Sequence, residues 1–232
     1  MIWWVVLPLI MLTVYTFIFS VVFQAKWNLP QGGRANFAAM FFSGLIVFNI
    51  LTESIGRAPG LIFENPSYVK KVVFPLEVLP AMVVGTALFN GLINITLLLL
   101  LYVWTIGVPP VSTCFLPIVL LPLVLTTLGL SWFLSSLGTF LRDLSQIISI
   151  ACSLLMFLSP IFYPVEALPQ TFRTIVEVSP LTVVIRQFRE ILFWGTFPST
   201  FDVLTSWLIA FGIAWMGYSW FMLSKRAFAD VV

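Results

Sequence analysis

The chain is 232 residues long, 60% hydrophobic and only 9% charged, against about 25% charged in an ordinary soluble domain. That composition excludes a water-soluble globule. Eleven Lys and Arg nearly cancel nine Asp and Glu, for a net charge of +2, which excludes the clustered basic surface that nucleic acid requires. The expectation is an all-α integral membrane protein, with residues 1–232 forming a single domain.

A helix needs about 20 apolar residues to cross the hydrocarbon layer, so the runs between charged residues serve as a ruler. Residues 1–25 carry no charge. They lack the basic start and small-residue cleavage site of a secretory signal, and read as a retained span near 2–23. The run from Arg34 to Glu53 predicts a second span near 36–54. The run from Glu77 to Arg142 is 64 residues long and holds Gly107, Pro109 and Pro110 near its middle. No helix interior tolerates that triplet, so the run divides into spans near 78–105 and 113–138. A fifth span follows near 145–162 and a sixth near 203–223. Six spans put both termini on one side.

Two polar connections stand out. The first, residues 56–77, reads GRAPGLIFENPSYVKKVVFPLE. Ser54 or Asn65 suits a helix cap there, and Lys70 and Lys71 form a basic patch beside Val72, Val73 and Phe74, as in a helix lying on the membrane surface. The second, residues 163–202, contains a predicted helix that starts at Ser179–Pro180, where the Ser oxygen caps free N–H groups, and stops at Gly195. Leu181, Val184, Ile185, Phe188, Ile191 and Leu192 recur along one face, with Arg186, Arg189 and Glu190 expected on the other. An interfacial amphipathic helix is expected, and Pro160, Pro164 and Pro169 just before it make a re-entrant or interfacial helical hairpin between the fifth and sixth spans.

Several chemistries are missing. With no His in the chain, Ser–His and Cys–His nucleophile pairs, two-His zinc helices and imidazole-ligated haem are excluded. None of the four lysines follows a phosphate-cradling glycine loop, so any ATP is bound by another chain. The predicted spans contain almost no ionisable residue: Glu53, Glu77, Arg142 and Asp143 sit at span ends, where a water-interface role is expected, so proton relay is not the expected engine. Cys114 and Cys152 lie in apolar runs and are expected as buried thiols rather than a disulfide.

The stretches LPLIMLTVYTFIFSVVF, ENPSYVKKVVFPLEVLP, RDLSQI, LSPIFYPVEALP and SPLTVVIRQFREILFWG, in that order along six spans, resemble the permease subunits of type-2 ABC exporters of O-antigen, capsule or teichoic-acid polysaccharides. The resemblance implies a multi-pass protein of the cytoplasmic (inner) membrane with both termini cytoplasmic. It implies a homodimer bound to two separate ATP-binding subunits, which hold the ATP and Mg, so that this chain carries no catalytic residue, metal or cofactor of its own. Its implied cargo is a lipid-linked glycan. It places Arg57, Glu64, Asn65, Lys70 and Lys71 near the ATPase, puts Arg142 and Asp143 in the second cytoplasmic turn, and sets residues 163–202 at the outer face. Permeases of this kind carry a basic amphipathic helix ahead of the first span. This sequence opens inside that span at Met1: either its start is lost or assigned too late, or this member lacks the element, and in both cases the implied docking surface is incomplete here.

The charge asymmetry agrees weakly. With termini inside, Arg57, Lys70, Lys71, Arg142, Lys225 and Arg226 are cytoplasmic, against Lys26, Arg34, Arg173, Arg186 and Arg189 outside. A glycan path needs aromatic planes and hydrogen-bonding groups. Tyr15, Phe19, Phe23 and Trp27 recur every four residues along the first span and are candidate channel residues, although the same stripe fits helix packing with Trp27 in the aromatic belt. Phe162 and Tyr163 are further channel candidates, and Phe41, Phe42 and Trp132 carry less weight. A type-2 exporter of a drug or lipid shares the six-span plan. A membrane-embedded transferase would need paired acids or a metal site, and the nine acids show no such cluster.

Overall fold

Any segment crossing about 30 Å of hydrocarbon must satisfy its backbone within itself, which favours unbroken helices wherever the charge-free runs lie. The computed structural model describes residues 34–70, 74–165 and 168–228, with Val6, Ile10, Thr13, Val14 and Phe17 ahead of them, and every regular element among these residues is helical. The predicted first span, with Tyr15, Phe19, Phe23 and Trp27, lies outside the described residues, as does Lys71.

Helix α1 (Arg34–Arg57) runs through a 3-10 turn (Ala58–Gly60) into α2 (Leu61–Glu64), and α3 (Pro66–Lys70) follows Asn65. Then come α4 (Val78–Thr105), a 3-10 turn (Val111–Phe115) leading into α5 (Leu116–Phe140), and α6 (Leu144–Leu158). Two shorter helices, α7 (Gln170–Val178) and α8 (Pro180–Arg189), the latter prolonged by a π turn (Glu190–Trp194), precede α9 (Thr200–Ser224). Four helical stretches are long and apolar enough to cross a membrane: Ala38–Glu64, Val78–Thr105, Val111–Phe140 and Thr200–Ala227. At 27 to 30 residues, each is about 40–45 Å long.

The fifth expected span is shorter than its charge-free run. Helix α6 has 15 residues, about 22 Å. It stops because Pro160 disfavours helical geometry at Ser159, which is extended at φ −82°, ψ 146°. The break between the third and fourth spans falls where expected, with Gly107 at φ +123°, a conformation that suits only glycine.

Helix α1 is the hub. Its most apolar window is 83% buried, against 11% for α9, so α1 is walled in by protein while α9 lies largely at this chain's surface. The main core packs Phe41, Ile46, Val47 and Ile50 of α1 against Ile95, Leu98 and Tyr102 of α4, Val119 and Leu123 of α5, and Val184 and Phe188 of α8. Phe41 and Phe42, weighed above as channel residues, belong to this core at 0% and 4% exposure. A smaller cluster at the opposite end joins Ile62, Leu76, Leu79, Phe221 and Phe228. Between spans, small residues allow backbones to meet, as is usual where lipid offers helices no hydrophobic drive to associate. A Cβ on Gly129 would lie 2.5 Å from the Ile213 carbonyl oxygen of α9. One on Gly138 would lie 2.6 Å from the Pro59 Cα. Many hydroxyls are satisfied within their own helix, as when Thr127 donates to the Leu123 carbonyl at 2.7 Å, although those of Ser131 and Ser136 on the same helix are buried without a partner among the described residues.

Both cysteines are free thiols, but Cys114 is exposed rather than buried, because it sits in the 3-10 turn at the entrance to α5 instead of the span itself.

Candidate functional site

One end of the molecule gathers the charged residues of two connections. Helix α1 does not stop at the expected boundary but carries on past Arg57 to Glu64, with Pro59 entering the 3-10 turn where its missing N–H costs nothing. Asn65 donates its side-chain amide to the Leu61 carbonyl at 2.9 Å, so it closes α2 instead of capping the next helix. Ser54 is no cap either: it is buried, and its hydroxyl donates to the Ile50 carbonyl at 3.0 Å. The guanidinium of Arg142 lies over the Phe63 ring, 5.6 Å from its centroid, which brings the α5–α6 turn beside the 56–77 connection. Arg57, Glu64, Arg142 and Asp143 are exposed there, and Lys70 closes α3. Of the residues singled out for this face, Lys71 alone lies outside the described set.

The same end is tied to the end of α9. Lys225 donates to the Glu77 carboxylate at 2.6 Å, and the Trp132 indole donates to the Glu77 carbonyl at 2.9 Å, which fastens α5 to the start of α4. The Lys225 ammonium holds the Glu77 carboxyl below the usual carboxylate range, against the opposing pull of partial burial. A carboxyl lowered on folding stabilises the fold above its unfolded pKa, and that contribution drains away as pH falls through the folded value. Glu77→Gln is therefore expected to cost under about 1 kcal/mol at neutral pH. Thermal melts of the parent and variant in detergent should converge as the medium is acidified below the carboxylate range.

In the middle of the fold, Asn90 of α4 donates its amide to both oxygens of Glu53 on α1, at 2.9 and 3.1 Å. Glu53 was expected at a water interface. Because α1 continues as helix to Glu64, the carboxylate instead meets α4 at its thirteenth residue, well inside a 28-residue crossing.

The opposite end is formed by residues 159–199. Helix α8 starts at Ser179–Pro180 as read, but Ser179 makes no side-chain capping bond; extended Ser179 and the preset Pro180 suffice. Gly195, left-handed at φ +65°, ends the π turn. The predicted apolar face of α8 is buried, and Arg186 lies outward, paired with Asp202 at 3.2 Å and Glu190 at 3.8 Å. Arg189 does not share that outer face: it is buried at 5% exposure. The Ser112 hydroxyl donates to the Ile191 carbonyl at 2.7 Å, joining the α4–α5 turn to this hairpin.

Phe162 packs on Phe41 and Phe157, at centroid distances of 5.3 and 6.0 Å. The Tyr163 hydroxyl donates to the Phe157 and Leu158 carbonyls at 3.0 and 3.1 Å, closing α6. These two channel candidates thus meet at the end of α6, a helix that touches the core through Leu144, Ile148, Cys152, Leu155 and Met156. Its remaining surface is exposed and includes Ser145, Gln146, Ser149 and Ser153. Sequence reasoning missed this hydroxyl-bearing face; the four-residue recurrence of Ser145, Ser149 and Ser153 was its available signal.

This arrangement offers a charged end, a polar-striped apolar helix and a buried hairpin, but among the described residues no group of His, Cys, Asp or Glu able to hold a metal. The family model for ABC-2 type transporters matches residues 1–193. The chain belongs to the ABC-2 type transporter family. It is similar to the O-antigen export system permease protein RfbA of Myxococcus xanthus, at 25% identity over 99% of this chain and 86% of the relative. The protein of the same description from Klebsiella pneumoniae matches at 25% identity over the same shares. The polysialic acid transport protein KpsM of Escherichia coli matches at 26% identity over 69% of this chain and 62% of its own length. As an ABC-2 member with apolar membrane-crossing helices, the chain is a multi-pass inner-membrane transporter component, and its family implies an ABC ATP-binding subunit as partner.

Proposed function

We propose that this ABC-2 chain is the permease subunit of an exporter that carries a lipid-linked polysaccharide across the cytoplasmic membrane. The observation that carries the reading is similarity over nearly the whole chain to permeases described as O-antigen exporters. In this reading the chain has six spans, pairs with a second copy, and binds two ATP-binding subunits that supply ATP and Mg. Its charged end and both termini face the cytoplasm, and the 159–199 hairpin faces outward.

The geometry supports the division of labour. Arg57, Glu64, Arg142 and Asp143 share the exposed charged end, and with Asn65, Lys70 and Lys71 they form the proposed contact with the ATP-binding subunit. The exposed Ser145, Ser149 and Ser153 of α6, with Tyr163 and Phe162 beyond them, combine hydroxyls with aromatic planes, the surface a glycan chain requires. Tyr15, Phe19, Phe23 and Trp27 of the first span are proposed to complete that path. ATP binding acts on transport only through contacts that differ between two states of the permease, and the charged end is where such contacts are made.

Reversing both basic residues, Lys70→Glu with Lys71→Glu, is expected to leave the permease folded while separating ATP hydrolysis from export. Vesicles holding the permease and its ATP-binding partner should hydrolyse ATP but deliver little glycan. Unchanged coupling would remove the lysines from the contact, and failure of the parental permease to co-purify with any ATP-binding subunit would remove the function itself.

A further inference from the structure

Among the described residues Arg189 is the only charged side chain in the buried class. Its Nε donates to the Ser43 hydroxyl at 3.4 Å, its Nη1 to the Pro160 carbonyl at 2.7 Å, and its Nη2 to the Met40 and Ile161 carbonyls at 3.2 and 3.3 Å. One guanidinium therefore joins three parts of the chain: α8, the early turns of α1, and the segment leaving α6. The fork of rigid N–H groups is what permits this; a lysine ammonium carries its donors at a single point. Gly44 leaves the space. A Cβ there would lie 2.8 Å from Nη2 of Arg189 and 3.5 Å from the Ile161 Cα.

The apolar face of α8 already anchors the hairpin, through Leu181, Val184, Ile185, Phe188, Ile191 and Leu192. Apolar contact is non-directional and permits small sliding of packed helices. Hydrogen bonds from one planar group to acceptors on two other elements fix the register. Helix α1, seized near its start at Met40 and Ser43, runs as helix to Arg57 and on through the 3-10 turn to Glu64 at the charged end. A shift imposed at that end is thus delivered along α1 to the hairpin.

We infer that Arg189 is a positioning residue that couples the hairpin to α1, so that movement at the charged end reaches the opposite face of the membrane. The inference rests on the exporter reading, in which the charged end meets the ATP-binding subunit. It is tested in the complete permease–ATPase complex in vesicles, in a background carrying Cys114→Ser and Cys152→Ser, by introducing Arg189→Cys together with Ser43→Cys. Without a linker, ATP hydrolysis should stay near the parental rate while export falls about tenfold. A short bis-methanethiosulfonate linker, which forms a disulfide with each cysteine and releases two methanesulfinates, should restore export. A merely structural role would lower hydrolysis and export together and would not be rescued by a tether. Gly44→Ala retains the guanidinium but displaces it, and should show the same split more mildly in a protein that still folds. Parental export from both variants, or linked protein that forms but exports no faster than unlinked protein, would overturn the coupling role. Absence of ATP-driven export from the parental complex would instead overturn the exporter reading beneath it.

Discussion

Gly217→Leu should abolish a cooperative thermal transition in detergent, whereas Gly212→Leu, on the same helix, should melt close to the parent. The contrast follows from how α9 is held. Few residues of α9 are buried: Ala210, Gly217 and Phe221. At Gly217 the backbone of α9 meets the backbone of α5 at Gly129, leaving no room for a Cβ, and the reciprocal position at Gly129 is blocked by Ile213 and Ala214. Gly212 has nothing within 4 Å of its Cβ direction. A clash with the far end of a flexible side chain is relieved by a rotamer change, but a clash with backbone moves a helix. Overpacking typically costs about 1–3 kcal/mol, and a four-carbon side chain forced between two backbones belongs at or above the top of that range. Equal melting of the two variants would show that α5 and α9 are not packed through Gly129 and Gly217.

Asn90→Leu should destabilise the fold by about 1–2 kcal/mol, because it strips the donor from a half-buried carboxylate. Both Glu53 oxygens accept from the same Asn90 amide nitrogen, so one substitution removes both hydrogen bonds. The informative comparison is the double variant Glu53→Leu with Asn90→Leu. Replacing both members of a half-buried polar pair by apolar groups is often close to neutral, so chemical or thermal unfolding in detergent should show the double variant more stable than Asn90→Leu alone. Additive losses would mean that the two side chains do not act as a pair.

Much of the scaffold was legible because charge in hydrocarbon is costly. The span predicted over 78–105 coincides with α4, since Glu77 marks its start and Gly107 with two prolines enforces its end. The bounds of the helical stretch between Ser179–Pro180 and Gly195 were readable for a similar reason: proline and glycine act through local backbone geometry, which depends on nearby sequence alone. What escaped the reading depends on distant partners. Arg189 is adjacent to the buried Phe188, and helical periodicity sorted it to the polar face; its acceptors stand 28, 29, 146 and 149 residues away. Glu53 was mistaken for a span terminus because charge served as the ruler, whereas the backbone continues in helical form to Glu64 and carries the carboxylate inward to Asn90. At the charged end, the structure brings Phe63 beneath Arg142 and so unites two connections that the sequence could only relate through a family resemblance.

The central claim is that this ABC-2 permease is a conduit whose motion is driven by nucleotide turnover on a separate subunit. Sealed vesicles should be prepared with the purified permease alone, with its ATP-binding partner alone, and with both, and the appearance of a labelled lipid-linked glycan on the far side should be followed with and without MgATP. The account predicts transfer only when both proteins and MgATP are present. Transfer by the permease alone at the same rate, or a complete pair that hydrolyses ATP yet never moves the glycan, would contradict it.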